Sequence, residues 1–251
     1  MRSFFAAISF LTVIPVPAGW CGGEKELGRS APAFPLAGAL IGGLAAAVAA
    51  CCAAILPTFP SAVIVTASLA VISGGLHLDG LADTADGLFS SRPRERALEI
   101  MRDSRIGAMG TLALFFILTA KVAGLASLKG TEVWRAALLA PIGGRCAIVV
   151  MLNALPYARA SGLGTTFHRH RSPLDAIWTI AALSAVGWLI AGLYGLGAAI
   201  AVLTATLFAI SYSRRKIGGY TGDTLGAVSE IAEASVLLFF AAATRVAPGA
   251  Y

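Results

Sequence analysis

Three carboxylates recur at i, i+4 and i+7 in the stretch Gly74-Gly75-Leu76-His77-Leu78-Asp79-Gly80-Leu81-Ala82-Asp83-Thr84-Ala85-Asp86-Gly87. On an α-helix those offsets put Asp79, Asp83 and Asp86 at about 0°, 40° and −20°, on one face. Like charges on one stripe repel each other and disfavour the helix. A cation between them removes that cost, and carboxylate oxygens suit Mg²⁺ or Mn²⁺. Mg²⁺ usually binds together with substrate phosphates, so the pattern points to phosphate chemistry. Gly80 and Gly87 would let a bulky ligand approach the backbone. The competing reading is a solvated acidic helix end, favoured by the helix N-terminus.

A second group lies near the other end of the chain, in Gly218-Gly219-Tyr220-Thr221-Gly222-Asp223-Thr224. The amides around Gly219, Thr221 and Gly222 are suited to holding phosphate at a helix start. Asp223 is either a further metal ligand or base, or the N-cap of the following helix. Arg102 and Arg105 carry planar forks that match phosphate oxygens. Arg92, Arg94 and Arg96 read instead as anchors to anionic lipid headgroups. His77 is either a general base near the metal or a satisfied histidine. His168 and His170, between Arg169 and Arg171, read as part of a basic loop. Glu230 and Glu233 lie inside an apolar run, where acids are costly and face the bundle interior or a wet cavity. Glu230 is seven residues past Asp223, on its face and roughly 10 Å deeper. Either an acidic cavity reaches into the bundle, or these acids pair with Arg145, itself also placed as a candidate substrate contact.

The elements that position these residues are membrane helices. Of 251 residues, 57% are hydrophobic and 13% charged, with a mean hydropathy of +0.81. A soluble domain would carry about 25% charge. Continuous apolar runs on the order of 20 residues span a bilayer, whereas a β-barrel would alternate. The expected fold is all-α, a polytopic helical membrane protein with about seven transmembrane helices and a short N-terminal interfacial or re-entrant helix. The spans are placed at Phe34 to Leu56, Ser61 to Leu78, Gly107 to Leu128, Val133 to Asn153, Leu174 to Leu193, Leu196 to Tyr212, and Leu225 to Val246. The fifth and sixth join at Tyr194-Gly195, and the whole of 1–251 reads as one membrane domain. The N-terminal run Ser3 to Val16 ends at Pro15 and Pro17 without a clear cleavage site, so it reads as a retained helix. Cys21, Cys51, Cys52 and Cys146 have no metal or disulfide spacing.

Loops 20–32, 79–105, 155–173 and 214–223 alternate onto one side and hold nearly all the loop Lys and Arg, while the opposite loops hold only Lys129. The positive-inside rule puts the four polar loops, and every candidate group, in the cytoplasm. The net charge of +6 is therefore a topology signal and not a nucleic-acid surface.

Gly75 to Gly87 resembles the signature of the cobalamin synthase family, the adenosylcobinamide-GDP ribazoletransferases. So do Arg102-Asp103-Ser104-Arg105-Ile106-Gly107, Gly219-Tyr220-Thr221-Gly222-Asp223-Thr224-Leu225-Gly226, and Phe10-Leu11-Thr12-Val13-Ile14-Pro15-Val16-Pro17. The resemblance covers nearly the whole chain, in order. It implies Mg²⁺-dependent joining of adenosylcobinamide-GDP to α-ribazole or α-ribazole 5′-phosphate, with release of GMP, in a bacterial inner membrane. It implies Asp79, Asp83 and Asp86 as metal ligands, with Asp223 completing the site. The segment Ala158 to Arg171 does not match the family closely. Partners are then the two substrates and the lipid bilayer, with a homo-oligomer left open.

Two rivals are weighed against this reading. A CDP-alcohol phosphotransferase also uses clustered Asp residues on membrane helices, but Ala82-Asp83 stands where its pattern has Ala-Arg and its later spacing fails. An ion-coupled transporter would use intramembrane Lys121, Arg145, Glu230 and Glu233, but the chain shows no internal repeat.

Overall fold

The computed structural model describes residues 1–246, Val246 by its backbone alone. Short helices α1 (Arg2–Leu11), α2 (Ala18–Cys21) and α3 (Glu24–Gly28) lead through a 3₁₀ turn (Ala31–Ala33) into α4 (Phe34–Ala53). Then come α5 (Thr58–Ile72), α6 (Leu76–Leu88), α7 (Arg94–Ile100), α8 (Ala108–Ala126) and α9 (Thr131–Ala154). The described residues close with α10 (Leu163–His170), α11 (Pro173–Ile217) and α12 (Gly222–Val246).

Helix α9 is the hub. Of its most apolar window, 83% is buried, because α4, α11 and α12 pack on three of its sides. Glycine lets the backbones meet. A Cβ on Gly38 of α4 would lie 2.7 Å from the Pro141 carbonyl, and one on Gly144 of α9 would lie 2.7 Å from Ser229 Oγ on α12. Small residues at such crossings are how membrane helices gain packing energy without a hydrophobic drive between them.

Five helices are long and apolar enough to cross a membrane, and six if α5 and α6 form one bent span. Helix α11 is two legs, because Gly192 breaks it at φ 56 and ψ −130. The legs fold back on each other: a Cβ on Gly187 would sit 2.7 Å from the Gly195 carbonyl. The expected fifth and sixth spans are these legs, with the reversal at Gly192 instead of Tyr194-Gly195. Counting them separately accounts for the expected seven. Large side chains such as Leu189, Leu193, Phe208 and Phe116 are 64–80% exposed. A belt of that size in water marks an interaction surface, and on these helices it fits lipid. This is a multi-pass membrane protein.

The second span is shorter than expected. Gly74 and Gly75, both at positive φ, turn the chain by 89° between α5 and α6. The Gly75 amide donates to Ala70 O and the Gly74 amide to Val71 O, the paired bonds of a glycine C-cap. α6 therefore leaves the spanning direction, and its carboxylates sit past the end of the span. The N-terminal segment braces this bend. The Val13 amide donates to Ile72 O at 2.9 Å, and a Cβ on Gly74 would lie 2.9 Å from Val13 Cγ1. The expected retained helix is α1, anchored by buried Ala7 and Leu11 and by Phe10 against Phe34 and Phe167.

Candidate active site

The site forms where α6 meets the start of α12. Gly80 and Gly226 make the crossing close. A Cβ on Gly80 would be 2.8 Å from Asp223 O, and one on Gly226 would be 3.1 Å from His77 O. Helix α12 is capped by Thr221 and not by Asp223. The Thr221 amide donates to Thr224 Oγ1 at 2.8 Å, and the Thr224 amide donates back to Thr221 Oγ1 at 3.2 Å, a reciprocal cap. That frees the Asp223 carboxylate to point elsewhere. It accepts from Arg159 Nη2 at 2.7 Å and from Thr221 Oγ1 at 3.2 Å.

Asp79 is exposed, and Asp83 is half-buried. The Asp83 carboxyl is pushed up to about 6, first by burial, then by the negative fields of Asp79, Asp223 and Asp86, with Arg159 opposing. The charges of Asp79, Asp223 and Asp86 are therefore all felt at Asp83. Asp86 has a different job. Its oxygens accept from the Gly107 amide at 2.7 Å and the Gly110 amide at 2.8 Å. Helix α8 has no side-chain cap of its own at Gly107, so a carboxylate from α6 serves, helped by the helix dipole. Asp86→Ala should cost about 1–2 kcal/mol of stability while Mn²⁺ binding persists. Thermal unfolding and metal titration on the same preparation check both halves.

Among the described residues, no three His, Cys, Asp or Glu side chains are already arranged to hold a metal ion. The donors present nonetheless fit Mg²⁺ arriving with a phosphate. That ion is commonly held by one or two carboxylates plus substrate oxygens. Asp79 and Asp83 lie one turn apart on a single helix, and Asp223 faces them from α12. The expectation that Asp86 is a metal ligand must reckon with its use as a cap.

Residues 3–241 match the family described as cobalamin-5-phosphate synthase, CobS. The chain belongs to this family. It is 42% identical to an adenosylcobinamide-GDP ribazoletransferase of Klebsiella pneumoniae over 95% of this chain and 98% of that protein. A protein of the same description from Herpetosiphon aurantiacus is 44% identical over 94% of each chain. Another, from a Roseiflexus species, is 42% identical over 92% of this chain and 86% of its own. No solved structure matches.

The segments that resemble the family's signatures gather at one end of the bundle, each with a distinct task. The acidic segment forms α6, the second Asp segment starts α12, and Phe10 to Pro17 braces the bend before α6. Arg102 to Gly107 leads into α8. Arg102 is exposed, and Arg105 donates to Asp103 at 2.7–3.3 Å. That contact holds the Asp103 carboxyl down at about 2.

Other candidates fall elsewhere. Arg145 is 1% exposed and hydrogen-bonded to Glu233, and its Nη2 lies 3.3 Å from His77 Nδ1. Lys121 Nζ reaches both Glu230 and Glu233 at 2.6 Å. The expected acidic cavity is thus a closed ion network, the alternative that paired these acids with Arg145. It leaves Arg145 and the 2% exposed His77 no route to a bound substrate. Nor does it line an open transport path.

Gly219 is needed for close backbone approach: Tyr220 donates to Pro156 O at 2.9 Å, and Ala158 donates to Tyr220 O at 2.8 Å. Gly222 alone of these glycines faces open space. Gly80 and Gly87 serve helix packing, not ligand access, Gly87 lying against Met101 and Ala97. Arg94, expected as a lipid anchor, donates to Ile217 O at 2.8 Å and Ala158 O at 2.9 Å, a cation on a helix C-terminus. Arg214, Arg215 and Lys216 belong to the last turn of α11 and not to the loop. Arg159 was missed, because it lies in the one segment with no recognisable pattern. Only its pairing across 64 residues reveals it.

Proposed function

We propose that this chain joins adenosylcobinamide-GDP to α-ribazole or α-ribazole 5′-phosphate, a late step of cobalamin biosynthesis. The observation that carries the reading is the family match over residues 3–241. The close packing of Gly80 on Asp223, which brings the helix of Asp79 and Asp83 against the start of α12, supports placing the reaction at the α6–α12 crossing. A ribazole hydroxyl oxygen bonds to the phosphorus next to the cobinamide arm. The P–O bond to the second phosphate breaks, GMP leaves as a phosphate monoester, and the hydroxyl proton passes to a base. Asp79 and Asp83 would hold Mg²⁺, and Asp223 lies across from them at the start of α12. When bound there, the ion would neutralise charge on the diphosphate and the departing GMP. The protein's part is mainly positioning and charge compensation: α6 presents the acids, and the start of α12 closes the other wall.

The site faces the cytoplasm of a bacterial inner membrane on this reading, because the arginine-rich loops share its side. The test uses purified protein in liposomes with adenosylcobinamide-GDP, α-ribazole and Mg²⁺, following GMP release. Release is expected only with both substrates and the metal. Intact protein that releases no GMP with either ribazole form would refute the assignment.

A further inference from the structure

We propose that Arg159 is a diphosphate-binding residue of this site, parked on Asp223 in the empty protein and transferred to substrate phosphate on binding. The inference rests on the function proposed above and adds to it a residue outside the segments that resemble the family. Arg159 sits where three segments meet. Its Nη2 donates to Asp223 Oδ2 at 2.7 Å and to Met101 O at a long 3.4 Å. The side chain is only 13% exposed, and Nε is buried with no acceptor. A guanidinium has five donors, and leaving one buried and unpaired is costly. The edge carrying Nε is one of the two forks with which a guanidinium grips phosphate through two parallel bonds.

The position does not rest on the side chain alone. The backbone before Arg159 is pinned by the pairing of Tyr157 with Tyr220 and by Arg94 donating to Ala158 O. Removing the guanidinium should therefore leave the segment in place. Asp223 can serve Arg159 or a divalent cation, but a phosphate ligand can satisfy both cations together. Arg159 thus competes with the metal in the empty site and cooperates with it in the loaded one.

These roles predict opposite shifts. In full-length R159Q, Mn²⁺ affinity without substrate, read by electron paramagnetic resonance, should rise several-fold. GDP binding in the presence of Mn²⁺, read by calorimetry, should weaken roughly tenfold or more, the scale of a lost charge-assisted pair. KM for adenosylcobinamide-GDP should rise alike while KM for α-ribazole stays put. R159K keeps the charge and loses the fork. It should keep near-wild-type Mn²⁺ affinity and still raise the KM for adenosylcobinamide-GDP, and it decides the matter if R159Q is not recovered folded. Unchanged GDP and Mn²⁺ affinities, or both KM values rising together, would overturn the proposal. A wild type that binds GDP in an Arg159-dependent way but releases no GMP would instead remove the proposed reaction and leave the phosphate role standing.

Discussion

Asp83→Asn should cut GMP release at least about a hundredfold, the scale of losing a preorganised charge-stabilising group, while the protein unfolds no more easily than the wild type. The two halves of this result have one cause. Asp83 is half-buried among Asp79, Asp86 and Asp223, and its carboxyl is pushed up to about 6 by burial and their fields. A neutral amide relieves that repulsion, so the empty protein loses nothing in stability. It also removes an anionic oxygen from the place where the cation and the diphosphate are proposed to meet, so turnover suffers. Asp79→Asn should behave in the same way. Asp86→Ala should not, since it removes the brace on α8 and so costs stability first. Measuring GMP release and thermal unfolding for the three variants separates the roles. Near-normal turnover in Asp83→Asn would remove Asp83 from the chemistry.

Lys121→Met should be the most damaging single change to the fold, costing about 3–5 kcal/mol, because it strips the partner from two buried acids. Glu230 and Glu233 would then share only Arg145, with all three groups at most 3% exposed. Adding Glu230→Gln to that variant restores charge balance and should recover part of the loss, a strongly non-additive pair. The comparison needs only unfolding midpoints in one detergent. A double variant less stable than Lys121→Met alone would show that the network is not held by charge pairing. The network matters to the site because His77, in the first turn of α6, lies against Arg145. The ion pairs therefore fix the start of the helix that carries Asp79 and Asp83.

Some of this was legible in the sequence and some was not. Hydropathy located the membrane helices, because burial in lipid imposes a requirement on every residue of a span, one by one. The spacing of Asp79, Asp83 and Asp86 showed a shared face, since helix periodicity is local. Yet a shared face did not mean a shared task. Asp86 turned out to hold the amides of Gly107 and Gly110, partners more than twenty residues away. Glu230, Glu233 and Arg145 were visible as anomalous charges inside apolar runs, but whether they open a cavity or close a network depends on Lys121, 109 residues from Glu230. The 89° turn at Gly74-Gly75 and the reversal at Gly192 take a few residues each and leave the apolar pattern around them almost intact. Arg159 had no pattern at all. The sequence by itself determined which stretches enter the membrane and which carboxylates lie at its edge, because those follow from solvation and helical period. Only the tertiary structure decided which charges neutralise one another and which remain for a substrate, because pairing is set by distance between segments far apart in the chain.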